Sequence, residues 1–144
     1  MSALKDLIGH IVFNVMVTDG EGAVRFACAG GVMIDYGCVG DCCSETWIAE
    51  VLNLSALIGH TVQNVEELEL PISSSSEPDP RSRQEYDELY GYRLDTEAGS
   101  CTIVFRNSSN GYYGGWVERG VIKGNVRSII GTDDWTAYQK ETTP

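Results

Sequence analysis

The segment from Arg106 to Trp116 contains residue types that could bind a small polar molecule. Tyrosine rings stack on nucleobases, asparagine amides match the polar edge of a base, and arginine pairs with phosphate. Asn110-Gly111 is at the same time a typical type I′ turn sequence. The segment therefore predicts either a pocket that uses Asn110 and Tyr112, or a hairpin turn followed by an edge strand with packed tyrosines.

The cysteines and histidines do not have the spacing of a metal site or of a catalytic nucleophile. Cys38, Cys42 and Cys43 give C-x3-C-C without a second pair downstream, whereas a zinc site uses two spaced pairs. His10 and His60 each precede an apolar segment, where a solvated or capping imidazole is typical. Phosphate-binding, nucleophile-elbow and zincin motifs do not occur in the sequence. We therefore expect a protein that is not an enzyme and that uses no metal or cofactor.

The charge of the chain excludes several classes of partner. There are 10 Lys+Arg against 21 Asp+Glu, which gives a formal net charge of −11. Binding to nucleic-acid polymers or to anionic membranes would need a basic surface. The first residues lack the basic and apolar regions of a secretory signal, and an odd number of cysteines, 5, indicates reduced and buried thiols. We expect an acidic cytoplasmic protein.

Short β-rich segments separated by turn residues predict an antiparallel sheet. The expected strands are at 11–18, 23–29, 32–36, 61–70, 86–95, 101–106 and 112–119, and 121–130 is expected to be a further strand or a packed arm. The first three should form a hairpin-connected meander. A turn and strand sequence that begins at Leu4 recurs from Leu54 with eight of twelve positions identical, which predicts two similar units in one sheet.

One segment has the spacing of a helix. Residues 45–53 follow a possible N-cap at Ser44, and an apolar stripe is formed by Trp47, Ile48, Val51 and Leu52. A short amphipathic helix that packs on the sheet is therefore expected. Together with the strands, this predicts an α+β fold, mainly an antiparallel sheet with one or two short helices.

The domain organisation follows from composition. Residues 71–85 hold three of the four prolines and a run of four serines, which predicts a mobile loop inside the domain. Residues 131–144 are mostly polar and predict a loosely held tail. The sequence thus predicts a single domain over residues 1–130.

Two motifs carry a family resemblance: Gly40-Asp41-Cys42-Cys43-Ser44 and Ser109-Asn110-Gly111-Tyr112-Tyr113, with Leu57-Ile58-Gly59 and Glu66-Glu67 between them. With these motifs the sequence resembles short phage-encoded domains over roughly residues 4–118, and it is similar to the first-described Thoeris anti-defence proteins. The resemblance implies a phage protein that sequesters glycosyl-cyclic-ADP-ribose, the Thoeris signal, without cleaving it. Some such proteins also bind cyclic oligonucleotides of CBASS. It further implies a homo-oligomer, a dimer or a multiple of dimers, in the cytosol of the infected bacterium.

A ligand of this class presents an adenine, two riboses and a pyrophosphate. The motif implies that Asn110 and Tyr112 contact it. A pyrophosphate also needs arginines, which outnumber lysines seven to three in this sequence and suit bidentate recognition. The further candidate ligand-binding residues are Arg25, Arg127, Tyr92, Arg93 and Arg106.

Two other functions compete with sequestration. The charge of −11 is also typical of an acidic phage protein that inhibits a basic host protein or mimics DNA. A nucleotide-cleaving enzyme is the third alternative, and the sequence contains no clear acid–base constellation for it.

Overall fold

The computed structural model describes residues 4–40, 45–70, 86–109, 115–122 and 125–128, and this part of the chain is built of strands. They are β1 (Ile11–Thr18), β2 (Ala23–Cys28), β3 (Val32–Gly40), β4 (Glu45–Leu52), β5 (His60–Thr61), β6 (Asn64–Leu70), β7 (Tyr86–Thr96), β8 (Gly99–Ser109), β9 (Gly115–Arg119) and β10 (Val126–Ser128). Short 3₁₀ turns occur at Lys5–Leu7, Asp19–Glu21, Ala29–Gly31 and Leu54–Ala56. The described residues contain no α-helix, so the α+β prediction is wrong and the fold is mainly β.

The strands form two antiparallel sheets. Sheet 1 has the order β10-β1-β2-β3-β9, and β5 also pairs with β1; sheet 2 has the order β4-β8-β7-β6. The expected meander of β1, β2 and β3 is confirmed, with turns at the residues that the sequence indicated.

One apolar core lies between the inner faces of the sheets. Sheet 1 contributes alternate residues of each strand, such as Val24 and Phe26, and sheet 2 contributes Ile103 and Phe105. The Phe105 ring packs edge-on against Tyr92 at a centroid distance of 5.7 Å. Period-2 alternation therefore decides which side chains remain available on the outer faces.

The predicted helix at residues 45–53 is the strand β4. Its apolar stripe arises because a bulge shifts the pairing between Ile48 and Glu50, and because both faces of sheet 2 are buried at this point. Ile48 and Val51 belong to the core, whereas Trp47 lies on the opposite face and is also buried. A short apolar run of this length does not distinguish a helix from a doubly buried strand.

The hairpin part of the interpretation of residues 106–116 is wrong as well, whereas the expected edge strand is confirmed, because β9 lies at the edge of sheet 1. Strand β8 pairs with β4 and β7 in sheet 2, whereas β9 pairs with β3 in sheet 1. The connection between Ser109 and Gly115 therefore joins the two sheets, as does the connection between Gly40 and Glu45.

The two similar sequence units were expected in one sheet, and the structure separates them. The first leads into β1 of sheet 1, and the second leads through the short β5 into β6 of sheet 2. Cys28, Cys38 and Cys101 are buried free thiols, which confirms that part of the cysteine prediction. The 71–85 loop, the 131–144 tail and the cysteines at 42 and 43 lie outside the described residues.

Candidate functional site

A shallow depression lies on the outer face of sheet 1, over β1, β2 and β10. It encloses about 140 Å³, including solvent at its mouth, and is lined by Met16, Val17, Thr18, Ala23, Val24, Arg25, Ile122 and Val126. This volume is open space at the surface, because the lining residues leave no room between them for a water molecule. The depression therefore offers a ligand a surface to lie on rather than a pocket to enter.

Arg25 is the charged group of the depression. It is partly exposed and is held by Asp35, which lies opposite it on β3. Its Nε donates to Asp35 Oδ1 at 2.7 Å, and its Nη2 donates to Asp35 Oδ2 at 3.2 Å. The hydrogen bond to Asp35 raises the pKa of the guanidinium, against the opposing effect of burial. Arg25 is thus oriented and permanently charged.

Thr18 adds a buried hydroxyl to the same depression. The residue is 1% exposed, and its Oγ1 has no hydrogen-bond partner among the residues that the structure describes. A buried hydroxyl without a partner costs about 1–3 kcal/mol. Because the depression has no room for a water molecule, a polar partner could reach this hydroxyl only if a lining side chain moved.

The segment after β9 forms one wall. The Gly120 amide donates to the Asp35 carbonyl at 2.8 Å, and Gly120 has a φ of +87°. Val121 then packs directly on Gly37, because a Cβ built on Gly37 would lie 2.5 Å from the Val121 Cβ. This close approach guides the chain across the outer face, so that Ile122 reaches the depression.

Two of the predicted arginines lie in this part of sheet 1. The backbone of Arg127 is opposite Val17 on one side of β1, and Arg25 is opposite Met16 on the other side. Their backbones are therefore two strand spacings apart, about 10 Å. The structure does not describe the side chain of Arg127.

Asn110 and Tyr112 lie outside the described residues. The strand that follows them, β9, begins at Gly115 opposite Gly40 of β3. Gly40 is about 16 Å along β3 from Asp35, the partner of Arg25.

Tyr92 and Arg93 lie on opposite faces of sheet 2, away from the depression. Tyr92 is 3% exposed, and its hydroxyl donates to Glu67 Oε2 at 3.4 Å. Burial and the nearby Glu67 carboxylate raise the pKa of this phenol. Arg93 pairs with Asp95, Nε to Oδ1 at 3.0 Å, and with Glu66. Tyr92 is thus a core residue, and Arg93 is part of an ion-pair network.

Arg106 is a buried arginine on the outer face of sheet 2. It is 7% exposed and lies opposite Trp47 of β4 and Leu89 of β7, which are also buried. The structure therefore leaves Arg25 alone at the depression of sheet 1 among the predicted side chains that it describes, and it places Tyr92, Arg93 and Arg106 on sheet 2.

Sequence reasoning missed Asp35 and Thr18. A signal for Asp35 was present, because a turn at 29–31 places position 35 opposite position 25 in the predicted hairpin. Thr18 ends an apolar strand and has no comparable signal, since its burial depends on β10 and on the segment after β9.

Within the described ranges, no three His, Cys, Asp or Glu side chains are grouped in a way that could hold a metal ion. The same part of the chain has no helix that is long and apolar enough to cross a membrane.

Comparisons with known proteins relate the sequence to a family. "Uncharacterized protein L278" of Acanthamoeba polyphaga mimivirus is 38% identical over 84 residues, which is 54% of this chain and 60% of the relative. No solved structure shows a significant match. A family model described as a domain of unknown function, DUF7448, matches residues 5–118, and the chain therefore belongs to this family.

Proposed function

We propose that the chain is a viral binding protein that captures a cyclic nucleotide signal of the glycosyl-cyclic-ADP-ribose type and releases it unchanged. The similar mimivirus protein supports the viral setting. The proposal places the protein in the host cytosol, as a dimer or a multiple of dimers. Cyclic oligonucleotides are a second possible ligand class.

The observation that carries this proposal is that Arg25 and the buried Thr18 hydroxyl line the same apolar depression. Arginine matches a pyrophosphate in a bidentate manner. With a lining side chain displaced, the Thr18 hydroxyl would suit a ribose or phosphate oxygen, and the apolar lining would suit a base. Asn110 and Tyr112 enter the proposal on the sequence motif alone.

Asp35 competes with a phosphorylated ligand for the guanidinium of Arg25. Its carboxylate takes up the Nε and Nη2 donors on one side of Arg25, so a pyrophosphate must replace Asp35 or bind to the remaining Nη donors beside it. An anion next to an uncompensated aspartate is repelled. We therefore expect Asp35 to limit the affinity for a phosphorylated ligand and to favour ligands that bring further contacts.

Calorimetry with purified glycosyl-cyclic-ADP-ribose tests the proposal. We expect saturable binding, recovery of intact ligand after heat denaturation, and weaker binding in Arg25→Ala and Asn110→Ala. Arg119→Ala is the matched control, because Arg119 is an exposed arginine that pairs with Asp6 away from the depression. The absence of binding, or consumption of ligand in large excess over protein, would contradict the proposal.

One observation favours the acidic inhibitor as a second candidate. The edge strand β6 exposes Glu66, Glu67 and Glu69 in a chain with a net charge of −11. A basic host protein bound to this strand would dissociate steeply with rising salt. Charge reversal of the three glutamates would abolish that interaction, whereas Arg25→Ala would not change it.

A further inference from the structure

The described chain is built from two copies of one unit. Each unit begins with a 3₁₀ turn, continues as a three-stranded meander, and ends with a fourth strand that leaves its own sheet. The first meander is β1-β2-β3 and the second is β6-β7-β8. Strand β4 of the first unit pairs with β8 of the second, and β9 of the second pairs with β3 of the first. The two units thus exchange their last strands.

The pairing registers match between the units. Met16 lies opposite Arg25 on the first meander, and Glu66 lies opposite Arg93 on the second. In the same way, Val15 opposite Phe26 corresponds to Val65 opposite Leu94. Inward and outward positions therefore correspond along both meanders.

The exchanged strands match as well. Val117 of β9 lies opposite Cys38 of β3, and Ile48 of β4 lies opposite Phe105 of β8. A tryptophan precedes each of these aliphatic residues, Trp116 in one strand and Trp47 in the other. Both acceptor strands therefore receive the same Trp-aliphatic pattern.

The glycines that follow the first 3₁₀ turn of each unit bond reciprocally to the other unit. The Gly9 amide donates to the Val62 carbonyl at 2.8 Å, and the Gly59 amide donates to the Val12 carbonyl at 2.7 Å. The two donors, Gly9 and Gly59, are separated by the same number of residues as the two acceptors, Val12 and Val62, and the turn sequence recurs at this spacing. They are what a local two-fold axis between the two units would produce.

We infer that the domain is an internal pseudo-dimer closed by exchange of β4 and β9, and that a second copy of the chain competes for the same acceptor strands β3 and β8. A strand supplied by another chain makes the same backbone and core contacts as a strand of the same chain. Only the effective concentration distinguishes them, and it is about millimolar for covalently linked segments. Exchange between chains, which is a low-cost route to dimers, follows when folding takes place at high protein concentration.

An engineered disulfide identifies the chain that donates β9. Val117→Cys places a thiol opposite the native Cys38, so that oxidation records whether the two strands come from one chain or from two. The protein is unfolded under reducing conditions, refolded at increasing concentration, oxidised, and analysed on non-reducing gels.

Val32→Cys is the matched control. It places a thiol opposite the native Cys28, but β2 and β3 belong to one unit and are joined by the short turn at Ala29–Gly31. Its disulfide must therefore stay within one chain, whether β9 comes from the same chain or from a second copy. Both variants also keep the other native cysteines.

For Val117→Cys we expect disulfide-linked dimers whose ratio to monomers rises about tenfold when the refolding concentration rises tenfold, since capture by a second chain is bimolecular. For Val32→Cys we expect intrachain disulfides only. Purely intrachain disulfides in both variants, or equal dimer yields from both, would overturn the inference. If Val117→Cys does not refold, the unsubstituted protein provides the test, because its refolded dimers should survive dilution and dissociate only on unfolding. A strictly monomeric product at every refolding concentration would then also overturn the inference.

Discussion

Trp47 and Trp116 occupy equivalent positions on the exchanged strands, yet Trp47 is 1% exposed and Trp116 is 42% exposed. The outer face of sheet 2 is therefore covered at this position, whereas the outer face of sheet 1 is exposed to solvent. On sheet 2 the residues opposite Trp47 and beside it, Arg106, Leu89 and Val104, are buried. On sheet 1 the Trp116 indole is in contact with solvent and donates to Glu118 Oε1 at 3.3 Å.

The two tryptophans should contribute very differently to stability. Trp47→Ala should lower the free energy of unfolding by about 3–5 kcal/mol, because it leaves a large cavity in a buried layer. Trp116→Ala should change it by about 0.5 kcal/mol, as is usual for surface positions. Urea denaturation of both variants measures the difference. Equal losses would show that sheet 1 is covered in solution.

The Arg25–Asp35 pair should control the affinity for a phosphorylated ligand, if the proposed function is correct. Asp35→Asn removes the competing carboxylate and should strengthen binding, and Arg25→Ala should weaken it. Calorimetry at two salt concentrations measures both effects. The pair itself is partly exposed, so its loss should cost no more than about 1 kcal/mol of folding free energy. Unchanged binding by both variants would assign the ligand to another surface.

Gly37→Ala should displace the segment that follows β9. Its new methyl group would meet the Val121 Cβ at 2.5 Å and the Val121 carbonyl oxygen at 2.7 Å, and the second of these is backbone that cannot rotate away. Overpacking of this kind costs about 1–3 kcal/mol. Hydrogen exchange at the Gly120 amide, which donates to Asp35, should become faster. Gly22→Ala is a suitable control, because its Cβ would meet only the Thr18 Oγ1, at 4.0 Å.

The stability of the β7–β8 end of sheet 2 should depend on acid pH through Asp95. The hydrogen bond from Ser100 and the contacts with Arg93 hold the pKa of Asp95 below its usual value, against the effect of desolvation. A carboxyl whose pKa is lower in the folded state stabilises the fold above the unfolded pKa. That contribution is lost as the pH falls through the folded value. NMR titration of the carboxyl should show a midpoint below 3.8, which Ser100→Ala moves upward. An unchanged midpoint in Ser100→Ala would contradict the assigned cause.

Cys28 and Cys101 should be inert in the folded protein. Burial raises the pKa of Cys101 to about 12, and it also raises the pKa of Cys28. Since the thiolate is the reactive form, both should resist alkylation near neutral pH. Mass spectrometry after iodoacetamide treatment should find these two residues modified only after unfolding. Modification of Cys101 in the native state would indicate local opening of β8.

The sequence predicted the local features of this fold better than its connections. The β1–β3 meander was predictable because Gly-rich turns separate segments of period-2 alternation. The same alternation was not applied to Tyr92, which was predicted to contact a ligand, whereas the structure buries it with Leu94 on the core side and places Arg93 on the other face. Strand β4 was misread because a bulge and burial on both faces imitate the spacing of a helix.

The exchange of β4 and β9 could not be predicted from local patterns. Either strand would fit beside either meander, so the choice of partner depends on the complete tertiary structure. The candidate site also depends in part on the complete tertiary structure. Arg25 and Asp35 follow from a hairpin register, whereas Thr18 and Ile122 meet only because the segment after β9 crosses sheet 1.

The strand exchange also affects how the protein can form during synthesis. Strand β3 reaches its final neighbour only when β9 has left the ribosome, because Gly40 pairs with Gly115. The nascent first unit therefore has an unsatisfied strand edge during translation of most of the second unit. Unpaired edges of this kind promote aggregation, and pairing between distant segments slows folding. Cotranslational folding should therefore finish late, and the vectorial order of synthesis should make the nascent chain depend on chaperones more than its size alone would suggest.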